Sequence, residues 1–271
     1  MKKLIFTTTI VLLLVAFGVS AFMVVSYLMD GKEQKELNEG LSQIVSDAQT
    51  ESAPTMEETT QPTEATTVPT ETTEPSMLPG YEEIYEMNAD TVGWIKISGT
   101  QVDYPVMQTP NSADYYLYRD FNKTDSARGS IYAREVCDIA QPSDNITIYG
   151  HNMRDGSMFA ALSAYENKAK WDSNSLIFFD TLYEYHTYKI FAVFATSANV
   201  GEGFSYHKFV NAANKEEFDS FVKTCKDLSF YDTGITPVYG DKMICLSTCT
   251  YALNGRAHDN ARLVVAAVRI T

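Results

Sequence analysis

Ile244-Cys245-Leu246-Ser247-Thr248-Cys249-Thr250-Tyr251 is an apolar, β-prone run that reaches a cysteine near its end, and Asn254-Gly255 just beyond it signals a turn. A cysteine at a strand end faces a cleft readily, although a small hydrophobe inside a core is the commoner fate of this residue type. Two other strand ends keep it company. Ile146-Thr147-Ile148-Tyr149-Gly150-His151 closes on a histidine, and Arg262-Leu263-Val264-Val265 opens on an arginine. Working outward, further β-rich runs broken by turn residues cover 91–97, 129–132, 176–179 and 185–195, with 145–149, 242–249 and 261–270 holding the three ends just named. From Tyr81 onward this texture predicts an antiparallel sandwich or barrel rather than alternating β/α units. Helical stretches are fewer: 77–88, 158–164, and 214–228, where Phe218, Phe221, Val222 and Cys225 recur at spacings of three and four.

The first 80 residues have a different character. Lys2 and Lys3 precede a stretch from Leu4 to Met29 without a charged residue. At helical rise it is about 39 Å long, enough to span a bilayer with some tilt. The lysines place its start in the cytoplasm and the rest of the chain outside. Val19-Ser20-Ala21 offers the small residues of a cleaved signal peptide as a second reading; the apolar run continues through Phe22-Met23-Val24-Val25 to Met29, which favours an uncleaved anchor. Residues 30–80 are acidic and then Thr/Pro/Glu-rich, a composition that cannot offset its ordering entropy by burial, and are expected to form a disordered stalk. A short helix over 33–48 fits within it. The catalytic unit is then expected over 81–271.

Net charge is −14, and four Lys against eleven acidic residues put half of it in residues 1–80. No basic face for nucleic acid is implied. Four cysteines, at 137, 225, 245 and 249, are too few and too irregular for a disulfide framework. On one strand Cys245 and Cys249 would sit about 13 Å apart, too far to bridge. The four histidines include no pair at metal-ligand spacing, so a zinc site is not expected.

A thiol needs its proton managed to act at neutral pH, and a histidine in reach supplies a base or an imidazolium partner. Acyl transfer then needs positive charge or N–H donors where the oxyanion forms, which the rigid, permanently charged fork of Arg262 can provide. Cys249 as nucleophile, His151 as acid/base and Arg262 as oxyanion partner form the candidate set. His258, beside Asp259, is a weaker candidate base, since 254–260 reads as a loop without fixed geometry. His186 reads as a strand residue and His207 as a surface residue.

Leu246-Ser247-Thr248-Cys249, with His151 upstream and Arg262 downstream, resembles the Thr-Leu-x-Thr-Cys signature and the His, Cys, Arg chain order of the sortase family. Asn88-Ala89-Asp90-Thr91-Val92-Gly93-Trp94-Ile95-Lys96-Ile97, Tyr104-Pro105-Val106-Met107-Gln108, Tyr115-Tyr116-Leu117, Arg128-Gly129-Ser130-Ile131 and the helix before the cysteine strand look most like class B. Cys245 stands where the signature's first Thr usually sits; it is expected to be buried and inert. The resemblance implies a mainly β, closed barrel of about eight strands with peripheral helices. It implies a thiol transpeptidase of the cysteine-peptidase class on a Gram-positive cell envelope. Such an enzyme cleaves the sorting signal of surface proteins after Thr and passes the acyl group to an amine of the peptidoglycan precursor or of a pilin, with no metal or organic cofactor. Leu117, Ser247 and Thr248 match positions lining the family's substrate groove. Two other classes share parts of this pattern: an extracellular cysteine peptidase or amidase releasing to water, and a non-catalytic wall-binding module that would not need Cys249.

Overall fold

The computed structural model describes residues 2–51, 76–253 and 255–271. Helices α1 (Lys2–Glu51) and α2 (Tyr81–Met87) precede eight strands. These are β1 (Thr91–Lys96), β2 (Asp103–Met107), β3 (Ile131–Ala133), β4 (Asn145–Tyr149), β5 (Leu176–Thr181), β6 (Thr187–Ser197), β7 (Met243–Leu253) and β8 (Arg256–Arg269). Helix α3 (Lys168–Ser173) precedes β5, and α4 (Lys215–Leu228) lies between β6 and β7. The strands close into a barrel in the order β1-β2-β3-β4-β7-β8-β6-β5. Most neighbours are antiparallel as expected, but β2 with β3 and β4 with β7 run parallel. Short 3₁₀ turns occupy Tyr115–Tyr118, Ala160–Glu166 and Tyr206–Lys208, the second where an α-helix over 158–164 is expected.

Strand alternation divides the apolar residues of β7 and β8 between two cores. Ile244 and Leu246 of β7, with Leu263, Val265 and Ala267 of β8, point into the barrel beside Ile95, Ile148 and Phe179. Met243 and Cys245, with Val264, Ala266 and Val268, point outward and are covered by Phe218, Phe221, Val222 and Cys225 of α4. The α4 N-cap is Asn214, whose side chain accepts from the Glu217 backbone N–H, an orphan donor at the helix start. Cys245 is therefore fully buried, and burial pushes its thiol pKa well up. This matches its expected burial.

Helix α1 differs from the expected stalk. It continues without interruption to Glu51, and Leu41 and Val45 are buried against Tyr81, Ile84 and Trp94, with Leu37 and Ile44 alongside. Positions 37, 41, 44 and 45 share one helical face, and that stripe supplies the burial that the polar composition of 30–51 conceals. Residues 52–75, the Thr/Pro-rich part of the expected stalk, lie outside the described residues. Over Phe6 to Met29, α1 exposes Phe6, Leu12, Phe17, Phe22 and Leu28, and the helix is long and apolar enough to cross a membrane.

Candidate active site

Cys249 sits on β7 directly opposite Arg262 of β8. Facing residues of an antiparallel pair hold their Cβ atoms roughly 4.5–5.5 Å apart, so the two side chains begin within reach of one reacting group. Ser247 and Cys249 prolong the outward row of Met243 and Cys245 past the end of the α4 cover, where the row opens into a cleft of about 480 Å³. This is why one cysteine of the strand is buried and the other half-exposed.

His151 reaches the same cleft from β4, the parallel neighbour of β7. The ladder pairs Ile148 with Leu246 and Tyr149 with Ser247, and the Gly150 N–H then donates to the Ser247 carbonyl (3.1 Å). Gly150 is bare because a Cβ would lie 2.4 Å from Ile131 Cδ1 and 2.8 Å from the Phe159 ring. The His151 ring is held by Nε2, which donates to the Leu117 carbonyl at 2.8 Å, and by Tyr118, whose ring centre is 5.5 Å away. A carbonyl only accepts, so Nε2 carries a proton and Nδ1 is the nitrogen left for proton exchange. Arg262 spends one Nη1 hydrogen on the Ala261 carbonyl (3.1 Å), which leaves most of its fork uncommitted to that bond.

The cleft also takes in Leu117, Ser247 and Thr248, so all six residues singled out in the sequence line one cavity. Leu117 contributes its carbonyl to His151. The Ser247 hydroxyl pairs with Tyr206 Oη at 2.5 Å. Thr248 is 2 % exposed, and its Oγ1 has no hydrogen-bond partner among the described residues.

Two contributors were not foreseen. Asn152 donates from Nδ2 to the Cys249 carbonyl (2.8 Å), tying the histidine loop to the cysteine strand; its place next to His151 was the available signal. Tyr206 comes from the β6–α4 connection, and nothing in its sequence surroundings marks it. His258 is not at the cleft. Residues 256–260, expected as loop, belong to β8; His258 Nδ1 accepts from the Asn260 N–H, and Nε2 lies 3.8 Å from Glu202 Oε2. Strand pairing continues there because Ala252 and Leu253 meet Ala257 and Arg256 across the hairpin. His207 lines the cleft rather than the open surface, half-buried with its ring edge-on to Tyr206. No cluster of three or more His, Cys, Asp or Glu side chains suited to a metal occurs among the described residues.

The family model described as "Sortase domain" matches residues 95–270. The chain belongs to the sortase family. Among curated proteins it is 28% identical to sortase B of Staphylococcus aureus over 189 residues, 70% of this chain and 74% of that one. Among solved structures it resembles a Staphylococcus aureus sortase B–substrate complex with TM-score 0.73 at 24% identity, covering 90% of this chain and 99% of that chain. A mutant form of Clostridium perfringens sortase B aligns with TM-score 0.61 at 30% identity, over 71% and 87% of the two chains. These likenesses identify the protein as a class B sortase, a cysteine transpeptidase of the kind that anchors surface proteins. The eight-stranded closed barrel is that of the sortase B structures.

Proposed function

We propose that this sortase cleaves the C-terminal sorting signal of secreted surface proteins after a Thr and transfers the acyl group to an envelope amine, with Cys249, His151 and Arg262 as its catalytic residues. The observation that carries the reading is their convergence on one cleft from β7, the end of β4 and β8. The Cys249 thiolate attacks the Thr carbonyl carbon, and the oxyanion that forms is met by the Arg262 guanidinium. Collapse breaks the C–N bond, and the leaving amine takes its proton from His151 Nδ1, leaving a thioester on Cys249. An incoming amine attacks that thioester and passes a proton to the now neutral His151, and the thiolate leaves. With Nε2–H already held by the Leu117 carbonyl, His151 exchanges one proton at one atom through both halves of the cycle.

Ser247 and Thr248 bind substrate in this reading. Both line the cleft, Ser247 on the row of Cys249 and Thr248 next to it in the chain. The exposed apolar half of α1 anchors the enzyme in the membrane as a single span with the barrel outside the cell, where sorting signals and cell-wall or pilin amines meet it.

The test is mass spectrometry of the full-length chain in detergent micelles with a library of sorting-signal peptides and triglycine. Peptide cut after Thr and joined to triglycine, lost in Cys249→Ala, is the expected result. Cleavage to the free acid alone, whichever amine is supplied, would replace transpeptidation by hydrolysis, and transfer persisting in Cys249→Ala would overturn the assignment of the nucleophile.

A further inference from the structure

Two loops hold His151, and both are tied to α1. The first is the 115–130 connection, whose Leu117 carbonyl accepts from the His151 ring. Gln34 of α1 donates to Asp120 in that connection (2.8 Å, buried), and Ser126 donates to Asp30 of α1 (2.9 Å). The second is the 151–159 loop, closed on itself by the Phe159 N–H donating to the His151 carbonyl at 2.9 Å and by a bridge between Asn152 and Met158.

Arg128 joins the two loops to the helix. Its side chain is 4 % exposed; Nη1 donates to Asp155, at the tip of the histidine loop, at 2.5 Å and to Ser157 Oγ at 3.0 Å, while Nε lies 3.4 Å from Asp30 Oδ2. The guanidinium lies 5.1 Å from the centre of the Tyr27 ring and rests on α1 at Gly31, where a Cβ would come within 2.3 Å of Nη2 and 2.9 Å of Cζ. A glycine inside a helix costs about 1 kcal/mol relative to alanine. Here it gives a buried arginine room against the helix backbone. Removing a carboxylate partner leaves the buried guanidinium with less compensation for its charge.

We infer that Arg128 is a positioning residue for His151, and that the docked segment of α1 around Asp30, Gly31 and Gln34 belongs to the catalytic apparatus as well as to the anchor. In this arrangement the membrane helix sets where the histidine loop sits relative to Cys249. The inference rests on the assignment of His151 as the acid/base.

The experiment compares the full-length chain in detergent micelles with Gly31→Ala, Asp30→Asn and Asp30→Glu, each scored for kcat and KM of transfer to triglycine per reactive thiol and for thermal unfolding. Gly31→Ala is decisive, because alanine favours the helix and displaces only the flexible end of Arg128. Expected are a roughly tenfold lower kcat with KM within about twofold in Gly31→Ala and Asp30→Asn, an unfolding temperature in Gly31→Ala that stays well above the assay temperature, and partial recovery in Asp30→Glu. Wild-type kcat in both Gly31→Ala and Asp30→Asn would overturn the inference, as would losses of kcat that track loss of fold in every variant. Failure of the catalytic assignment reads differently: His151→Ala would then transfer at the wild-type rate, whatever happens at Asp30 and Gly31.

Discussion

Gly129→Ala tests how the histidine is held. Gly129 has φ +57°, and a Cβ built there would lie 2.3 Å from the Leu117 carbonyl oxygen and 2.6 Å from that of Tyr116. The left-handed conformation alone costs alanine about 1–2 kcal/mol. The contact costs more locally: an ordinary separation of about 3.2 Å requires the Leu117 oxygen to move by about 1 Å, a displacement large enough to spoil its 2.8 Å hydrogen bond to His151 Nε2. A hydrogen bond to a charged group contributes about 1.5–3 kcal/mol, and the imidazolium is the form that donates most strongly to Leu117. Converted at about 1.4 kcal/mol per decade, transfer slows by roughly tenfold to a hundredfold. The assay is peptide transfer to triglycine per reactive thiol, beside urea unfolding, where a loss of about 1–3 kcal/mol is expected. A variant that is destabilised to that extent yet transfers at the wild-type rate would refute the claim that the Leu117 carbonyl organises His151.

Asn152→Ala removes the 2.8 Å bond to the Cys249 carbonyl and is expected to lower kcat roughly threefold to tenfold with KM unchanged, read by steady-state transfer kinetics. Tyr206→Phe strands the buried Ser247 hydroxyl and should cost about 1–2 kcal/mol in urea unfolding. His186 has its pKa held below the ordinary imidazole value by burial and then by the Arg269 charge, and His207 by burial and then by Arg134. Both favour the neutral form in the folded protein, so their contribution is complete above the unfolded value of about 6.5 and is lost as pH falls through the lowered folded values. Thermal unfolding followed from about pH 7 to pH 5 should show this loss, and His186→Gln should flatten it.

The strands carrying chemistry were legible because each has a local signature: β4 is an unbroken β-prone run, β7 is one up to its cysteine, and β8 is one from Ala261 onward. β2 is harder to see, since Pro105 inside Tyr104-Pro105-Val106-Met107 argues against a strand; in the barrel Pro105 faces Trp94 of β1. The docking of α1 was hidden for a different reason. Leu37, Leu41, Ile44 and Val45 are diluted by Lys, Glu, Asn and Ser on the faces that stay in solvent, and average composition reports the faces together. For the candidate site, residue types and chain order pointed to Cys249, His151 and Arg262, but a separation of 98 positions along the chain carries no distance. The distance comes from the parallel β4–β7 ladder, which no local pattern announces. Asn152 and Tyr206 act through single contacts made across the fold, so only the folded chain discloses them.

The route of the chain between β6 and β7 has an evolutionary consequence. Residues 198–242 leave the barrel at the end of one strand and re-enter at the start of another, both bonded to β8. That excursion contains no strand and none of the three residues assigned to the chemistry, yet it supplies one wall of the cleft, from Ala198 to Lys208, and the helix that roofs the outer core. Sequence changes in that wall reshape the cleft in descendants of this chain without touching the rungs that bring histidine, cysteine and arginine together, whereas α4 is fixed by the core it covers.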